Sequence, residues 1–443
     1  MWMAALGPKL TGSDAHSAFV DFLARELQTL GLEVARDPYV FTRWEAQYAA
    51  LEVGTNVDGP HNVPVTSVYP YSGQTEPTGT RGTLVYGGRA DAIDVPPDLT
   101  GKIVYFDAPT PTSTFSFAAD YEFLGKWGSH SAVPRAARGD VIASLSAEWP
   151  PTLVRFKQAG ALGAVFGWTD VPEPKAEFQY VPWSRVLQGL PSVWVGPHAA
   201  AQLRQAARGG APATLTLKAT LTPDCRADML TAVLPGTSSE ELIIVNTHTD
   251  GTNAVEENGG LALLALARYF SALPKRARRR TLVFAFAAGH FARPYVPSMN
   301  GFVERYPEMV RHAVASVTIE HLGCREWKQD ERLVFRATGQ DELSIVVTNT
   351  NAAASIVGTA VSGTSDRRGV VLKAKSGMGG EGRFLAAAGV PTIAWLPAPE
   401  YLVSAPPNGY IERVSRRLMY GQVQAFTRML HIVDGLSPAE LKG

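Results

Sequence analysis

Imidazoles and carboxylates recur at His248-Thr249-Asp250, Glu256-Glu257, His290, Glu320-His321 and Glu381, residue types that hold cations or move protons. Residues two apart in an extended chain point the same way, so Asp250 is placed to orient or polarise the His248 imidazole, the support a metal-binding histidine needs. His248, Glu256 and Glu320 are of residue types that can ligate a divalent ion. An ordinary imidazole titrates near operating pH, so His290 is the expected proton acceptor. This set predicts metal-assisted addition of water to an amide, ester or related carbonyl. A second reading has no metal: His290, Glu256, Glu320 and His321 line an acid/base pocket for lyase, hydratase or isomerase chemistry on a small molecule. A third is a non-catalytic module in which the cleft binds a peptide or ligand. His321 follows Glu320 directly, so in extended chain it faces the other way and is expected to make a structural hydrogen bond.

These residues need a frame to bring them together. After Cys225 the chain alternates strand and helix: Leu242–Thr247, Thr281–Ala287, Ala313–Ile319 and Pro391–Leu396 are apolar, β-branched runs, and Gly260–Phe270 has helical spacing. Continuous apolar strands alternating with helices predict an α/β fold, a central sheet covered on both faces. Such sheets gather their chemistry at the carboxyl ends of strands, where these histidines and carboxylates fall. Nearer the start, Thr11 to Ser13 supplies N-cap chemistry for a helix carrying Phe19, Phe22, Leu23, Leu27 and Leu30 and stopped by Gly31. From about Tyr48 the texture becomes short β-rich stretches punctuated by Gly and Pro. The stretches 82–86, 102–106, 163–167, 192–195 and 213–219 predict a β-rich domain over 56–222, inserted between 1–55 and 223–443, with 109–151 as an excursion or lid.

The composition limits the alternatives. The chain has 443 residues, with Lys+Arg 41 balancing Asp+Glu 41 and a 45% hydrophobic content, ample for a large core without staples. Zero net charge provides no global pull toward nucleic acid or anionic membrane. The basic run Lys275, Arg276, Arg278, Arg279 and Arg280 is read as a solvated connection. Cys225 and Cys324 lack CxxC spacing and are expected to be reduced, buried thiols. No signal peptide and no span of 18 apolar residues is found, so the chain as given reads as soluble and cytoplasmic; a missing upstream segment would make it secreted or periplasmic. Gly377–Gly382 matches GxGxxG without a dinucleotide-binding context, and its glycines are read as close packing near the cleft. His61, His130, His198, His312 and His431 are read as surface or structural, and Trp127, Trp149, Trp168 and Trp183 as packing in the inserted domain.

The order of these motifs resembles the M28 family of zinc metallopeptidases, aminopeptidase type, with an inserted protease-associated domain. The resemblance rests on Gly7-Pro8-Lys9-Leu10-Thr11-Gly12-Ser13 at the start, on Leu99–Tyr105 and Lys157–Val165 in the insert, and on the HxD pair His248 and Asp250. It implies a peptidase-like hydrolase with a dinuclear zinc site. Glu256 falls at the family's bridging Asp and Glu320 at its later carboxylate. His290 falls at the general-base Glu and Phe291, which cannot bind a metal, at a ligand Glu; a one-residue slip would instead make His290 the ligand and Gly289 the lost base. Ala398–Ser404 stands where the family's last His is expected and contains none. The resemblance thus implies one divalent ion at most, zinc first among candidates, held by the one-histidine, two-carboxylate set His248, Glu256 and Glu320 with positions left open to water, and His290, Asp250, Glu257 and His321 as catalytic candidates. Glu381, Arg383 and Tyr401 are the expected substrate contacts. In that family an acidic side chain recognises the substrate's free amino terminus, which points to Glu257 or Glu381. The expected partner is a small molecule or peptide-like substrate, with no nucleic acid and no membrane.

Overall fold

The runs Leu242–His248 and Thr281–Ala287 are buried at every position, so each needs apolar cover on both faces and strands on both edges. The computed structural model, which describes residues 2–54, 59–92, 94–110, 120–128 and 152–443, provides both. Leu242–His248 lies between Thr281–Ala287 and Ala313–Ile319, parallel to each, and Thr392–Trp395 continues the parallel set. His248 pairs with Ala287 in register, so the chain leaves these strands at one level and the residues that follow share one end of the sheet.

Alternate side chains of the central strand enter different layers. Ile243 and Val245 pack with Phe19, Leu23 and Leu27 of the helix Asp14–Thr29, with Leu263 and Leu266 of Gly259–Ala272, and with Phe426 and Leu430 of Arg416–Gly435. Ile244 faces Val283, Met299, Phe302 and Leu385 on the other side. Each fully buried Leu, Ile or Phe contributes on the order of 1.5–3 kcal/mol. Ser13 caps the first helix as expected, its side chain accepting from the His16 amide.

The β-rich stretches join the same sheet. Two long strands, Glu33–Val53 and Pro212–Leu234, pair antiparallel from Glu33↔Val233 to Val53↔Ala213. The C-terminal half of Pro212–Leu234 pairs with Thr281–Ala287 and its N-terminal half with Thr80–Arg89. Beyond Thr80–Arg89 come Lys102–Ala108, Gly163–Trp168 and Ser192–Val195, packed on a core of their own that includes Leu84, Ile103, Val165, Val193 and Leu203. Within the stretch 109–151, Tyr121–Gly128 pairs with Arg368–Ala374 at the far edge of the sheet. Residues 111–119 and 129–151, with His130 and Trp149, lie outside the described residues.

Two arginines of the basic run are not solvated. Arg280 is fully buried, donating to the carbonyls of Val433, Asp434 and Leu436 at the end of the helix Arg416–Gly435 and pairing with Glu241. Arg278 donates to the carbonyls of Phe270 and Leu273 at the end of Gly259–Ala272. Each cation satisfies carbonyls left over at a helix C-terminus, where the dipole favours positive charge. The tryptophans divide as well: Trp168 stacks on Trp194 in the β-rich unit, but Trp127 packs on Trp395 of the central sheet. No helix among the described residues is long and apolar enough to cross a membrane.

The N-terminal segment is tied to the sheet end by a buried ion pair. Lys9 and Gly251 exchange main-chain hydrogen bonds, and Lys9 Nζ meets Glu257 Oε1 at 2.5 Å with both side chains essentially inaccessible. Burial raises the Glu257 carboxyl, and the Lys9 ammonium bonded to it pulls it back down. Removing one partner of a buried pair costs about 3–5 kcal/mol, because the other charge is left uncompensated. Glu257→Gln is therefore expected to destabilise the protein by that amount in chemical denaturation, and Lys9→Met in the same chain to recover most of it. An unaltered midpoint for Glu257→Gln would show that the pair carries no structural load.

Candidate active site

Three imidazoles meet at the carboxyl ends of the parallel strands, each held by one nitrogen. His248 Nδ1 donates to the Asp250 carbonyl at 2.7 Å, His321 Nδ1 to the Pro397 carbonyl at 2.8 Å, and His290 Nδ1 to Glu381 Oε1 at 2.6 Å. With the proton on Nδ1, each Nε2 presents a lone pair. The three Nε2 atoms converge on Glu256 Oε1, at 3.8 Å for His248, 3.7 Å for His290 and 3.6 Å for His321. Glu320 Oε2 adds a second carboxylate, 3.9 Å from His248 Nε2 and 3.7 Å from His321 Nε2. His248 Nε2, His321 Nε2 and Glu256 Oε2 are buried and have no hydrogen-bond partner. Such orphaned groups are costly, and the two imidazole nitrogens among them face Glu256 Oε1 and Glu320 Oε2.

Local chain geometry aims these groups. Asn253 latches the turn after His248: its Oδ1 accepts from the amides of Val255 and Glu256, and its Nδ2 donates to the carbonyls of Leu402 and Ser404. Asn258 exchanges two hydrogen bonds with the backbone of Leu322, joining the Glu256 turn to the Glu320 turn. His321 has φ 58°, and this left-handed turn brings its ring into the cluster instead of to the opposite face expected for extended chain. Gly289, at φ 94°, makes the tight turn before His290; a Cβ there would meet Val296 at 2.5 Å. Gly380, at φ 67°, brings the Glu381 amide to Glu320 Oε1 at 2.8 Å, the close packing expected of that glycine run.

Burial sets the protonation states. It pushes Glu256 well above the usual carboxylate range, with Asp250 and Glu320 adding like charge, and Glu320 up to about 7. It lowers His290 to about 4 and His321 well below its usual value, the neighbouring His248 contributing to both. Glu381 is lowered despite its burial, because His290 donates to it. Neutral His290 and His321, protonated Glu256 and Glu320, and an ionised Glu381 are the result.

Several expected roles are reassigned. Asp250 supports His248 through its carbonyl; its carboxylate accepts instead from Thr11 Oγ1 and the Phe291 amide. Burial raises that carboxyl, but His16, His248 and His290 nearby hold it below its usual value. Glu257 is occupied by Lys9. Glu381 accepts from His290, Ser298 Oγ and the Met299 amide, so it anchors His290 and has no oxygen left for a substrate amine. Tyr401 is not brought to the cluster: its hydroxyl donates to the Arg325 carbonyl beside Tyr410 and Arg413. Arg383 lies over the Phe384 ring.

Other residues reach the site without having been singled out for it. Trp183, from the β-rich unit, stacks on His290 at 4.8 Å and 19°, which makes it a wall of the site and not packing within that unit. Phe291 packs against Trp183 and Tyr180. Arg293 lies 4.1 Å from the Trp183 ring. His16 lies beneath, its Nδ1 accepting from Gly12 and its Nε2 donating to Thr249 Oγ1 at 2.9 Å. Only the aromatic content near 180–183 and the arginine close to His290 were visible signals for these.

No family model and no curated protein matches the sequence. Solved structures do match. An M28 peptidase precursor from Shewanella amazonensis aligns over 98% of this chain and 91% of its own at TM-score 0.68 and 14% identity. An aminopeptidase from Aneurinibacillus sp. strain AM-1 aligns over 97% and 90% at TM-score 0.61 and 16% identity. A zinc aminopeptidase from Bacillus subtilis aligns over 98% and 94% at TM-score 0.61 and 14% identity. Across nearly its whole length, this chain has the fold of the M28 peptidases.

Proposed function

We propose that this protein is a hydrolase of an amide, peptide or related carbonyl substrate. It works with one divalent ion held by His248, His321 and Glu256, with Glu320 beside them and His290 as the proton acceptor. The observation that carries the reading is the convergence of lone-pair nitrogens and carboxylate oxygens on one buried point. Donor atoms of His248, Glu256 and His321 all lie within 4.8 Å of one another. Ligands about 2.0–2.1 Å from a tetrahedral zinc stand roughly 3.3–3.4 Å apart, close to the 3.6–3.9 Å measured between nitrogens and oxygens. Nitrogen and carboxylate donors suit zinc, the metal named for one structural neighbour. Phenylalanine at 291 and the His-free stretch 398–404 support one metal, not two.

When bound, the ion would supply Lewis-acid polarisation of a carbonyl or a water. The chain does the rest. His290, with its side chain 11% exposed, is the most open of the three imidazoles, and its neutral Nε2 can take a proton from an attacking water. Ionised Glu381 fixes its tautomer and stabilises the imidazolium that forms. Trp183, Phe291 and Tyr180 exclude bulk water from that face. The unit 56–222 is read as a protease-associated-type insert that completes the site. The ion pair of Lys175 with Glu400 and the Tyr180 amide on the Val403 carbonyl support its seating there.

Elemental analysis after purification in zinc-containing buffer is expected to give about one ion per chain, falling below about a tenth in His248→Ala and His321→Ala. Hydrolysis of a panel of aminoacyl and peptidyl anilides and esters should be lost on chelation. A wild type without metal, active and indifferent to chelator, would instead favour the acid/base pocket. His290→Gln is expected to keep its ion and lose about 10²–10⁴ in turnover; unchanged turnover would remove His290 from the mechanism. In metal-free protein, Glu320 stays protonated when folded up to about 7 but ionises from 4.5 when unfolded. The folded state thus binds more protons in that window, and stability falls as pH rises through it. Glu320→Gln should remove about 3 kcal/mol of that fall, read from denaturation at pH 5 and pH 8. The same slope in both proteins would contradict the assignment.

A further inference from the structure

A column of four side chains runs outward from the cluster. His248 stacks on His290 at 4.1 Å and 11°, His290 on Trp183 at 4.8 Å, and Trp183 carries the Arg293 guanidinium at 4.1 Å. Arg293 is partly buried, its Nε is inaccessible and without a partner, and its guanidinium makes no hydrogen bond or ion pair with any described residue. Arg383, whose field reaches Arg293, has no polar side-chain partner among the described residues either. Burial and this second cation push Arg293 down to about 10.

The carboxylates closest in field are already engaged. Glu381 accepts from His290, Ser298 and the Met299 amide, Glu320 Oε1 from the Glu381 amide, and Asp250 Oδ2 from Thr11 and the Phe291 amide, and none of the three carboxylates bonds Arg293. The Arg293 guanidinium, partly buried and 4.1 Å from the centre of the Trp183 ring, is left without an anion, with Arg383 a second cation in its field. A planar fork of this kind matches a carboxylate through two parallel hydrogen bonds, and the cation–π contact with Trp183 restrains its position.

We infer that Arg293, with Arg383 beside it, receives a carboxylate of the substrate, so that the enzyme selects acidic peptides or acyl amino acids. This rests on the hydrolase reading for the position of the reacting carbonyl. The selected carboxylate is an acidic side chain or a free C-terminus, and the probes separate the two sources.

The test uses four dipeptides, Ala-Glu and Ala-Gln, each with a free or amidated C-terminus, titrated by calorimetry into the full-length protein. At least one carboxylate-bearing peptide is expected to bind about tenfold or more tighter than amidated Ala-Gln. The preference should shrink to within about twofold in Arg293→Gln and be partly kept in Arg293→Lys, with thermal unfolding unchanged in both. Arg383→Gln is expected to weaken the same peptide by a smaller factor. Equal affinity for all four, no binding of any at millimolar concentration, or an equal loss for all four in Arg293→Gln overturns the inference. Zinc content is measured in parallel on the same samples. A chain that prefers carboxylates without holding zinc would sink the metal centre and leave this inference standing, and one that holds zinc without preference would do the reverse.

Discussion

The organising constraint is the placing of five ionisable side chains in one dry pocket. An isolated charge there would be very costly, so each group must be neutral, paired or ready to bind a cation. The protein meets this by fixing every Nδ1 on an acceptor, so that each Nε2 is directed inward. Burial keeps protons on Glu256 and Glu320. A pocket of this kind stores unsatisfied donor capacity, which a divalent ion would satisfy while displacing protons.

Much of the surrounding structure serves that pocket. The parallel strands bring the His248, His290 and Glu320 turns to one level, and Asn253 and Asn258 lock the turns together through backbone groups. Lys9 pairs with Glu257, a buried carboxylate that does not face the cluster, which also explains why the N-terminal segment crosses the sheet end. The β-rich unit closes the remaining side. Because the long strands Glu33–Val53 and Pro212–Leu234 run through both units, Trp183 is placed on His290 by continuous main-chain hydrogen bonding as well as by side-chain packing.

On the one-metal reading proposed above, the same scaffold carries a phenylalanine where a two-metal site would need a ligand. Phe291 occupies a position where the resemblance places a ligand, and its ring takes part in the aromatic wall with Trp183 and Tyr180. His321, turned inward by a left-handed backbone, adds a nitrogen donor from a different strand end. A fold can keep its strand order while its polar residues are redistributed, because sheet packing depends on the apolar runs and not on the loops that follow them.

Apolar periodicity by itself determined the central strands: Thr281–Ala287 and Ala313–Ile319 begin and end where the pattern places them, and Ser13 caps the helix it precedes. It also placed His248, Glu256, His290 and Glu320 at one end of the sheet. It did not reveal the pairing of Tyr121–Gly128 with Arg368–Ala374, or the burial of Arg278 and Arg280, since edge pairing and helix capping at long range leave no local period. Nor did it orient the imidazoles. Two of their three anchors are main-chain carbonyls, of Asp250 and Pro397, and every residue has a carbonyl, so no side-chain type marks which one will be used. The inward turn of His321 depends on a single dihedral, and the Arg293–Trp183–His290–His248 column on segments far apart in the chain. Only tertiary structure decides such groupings, because the free energy that holds them comes from contacts between elements and not from the propensity of any one of them.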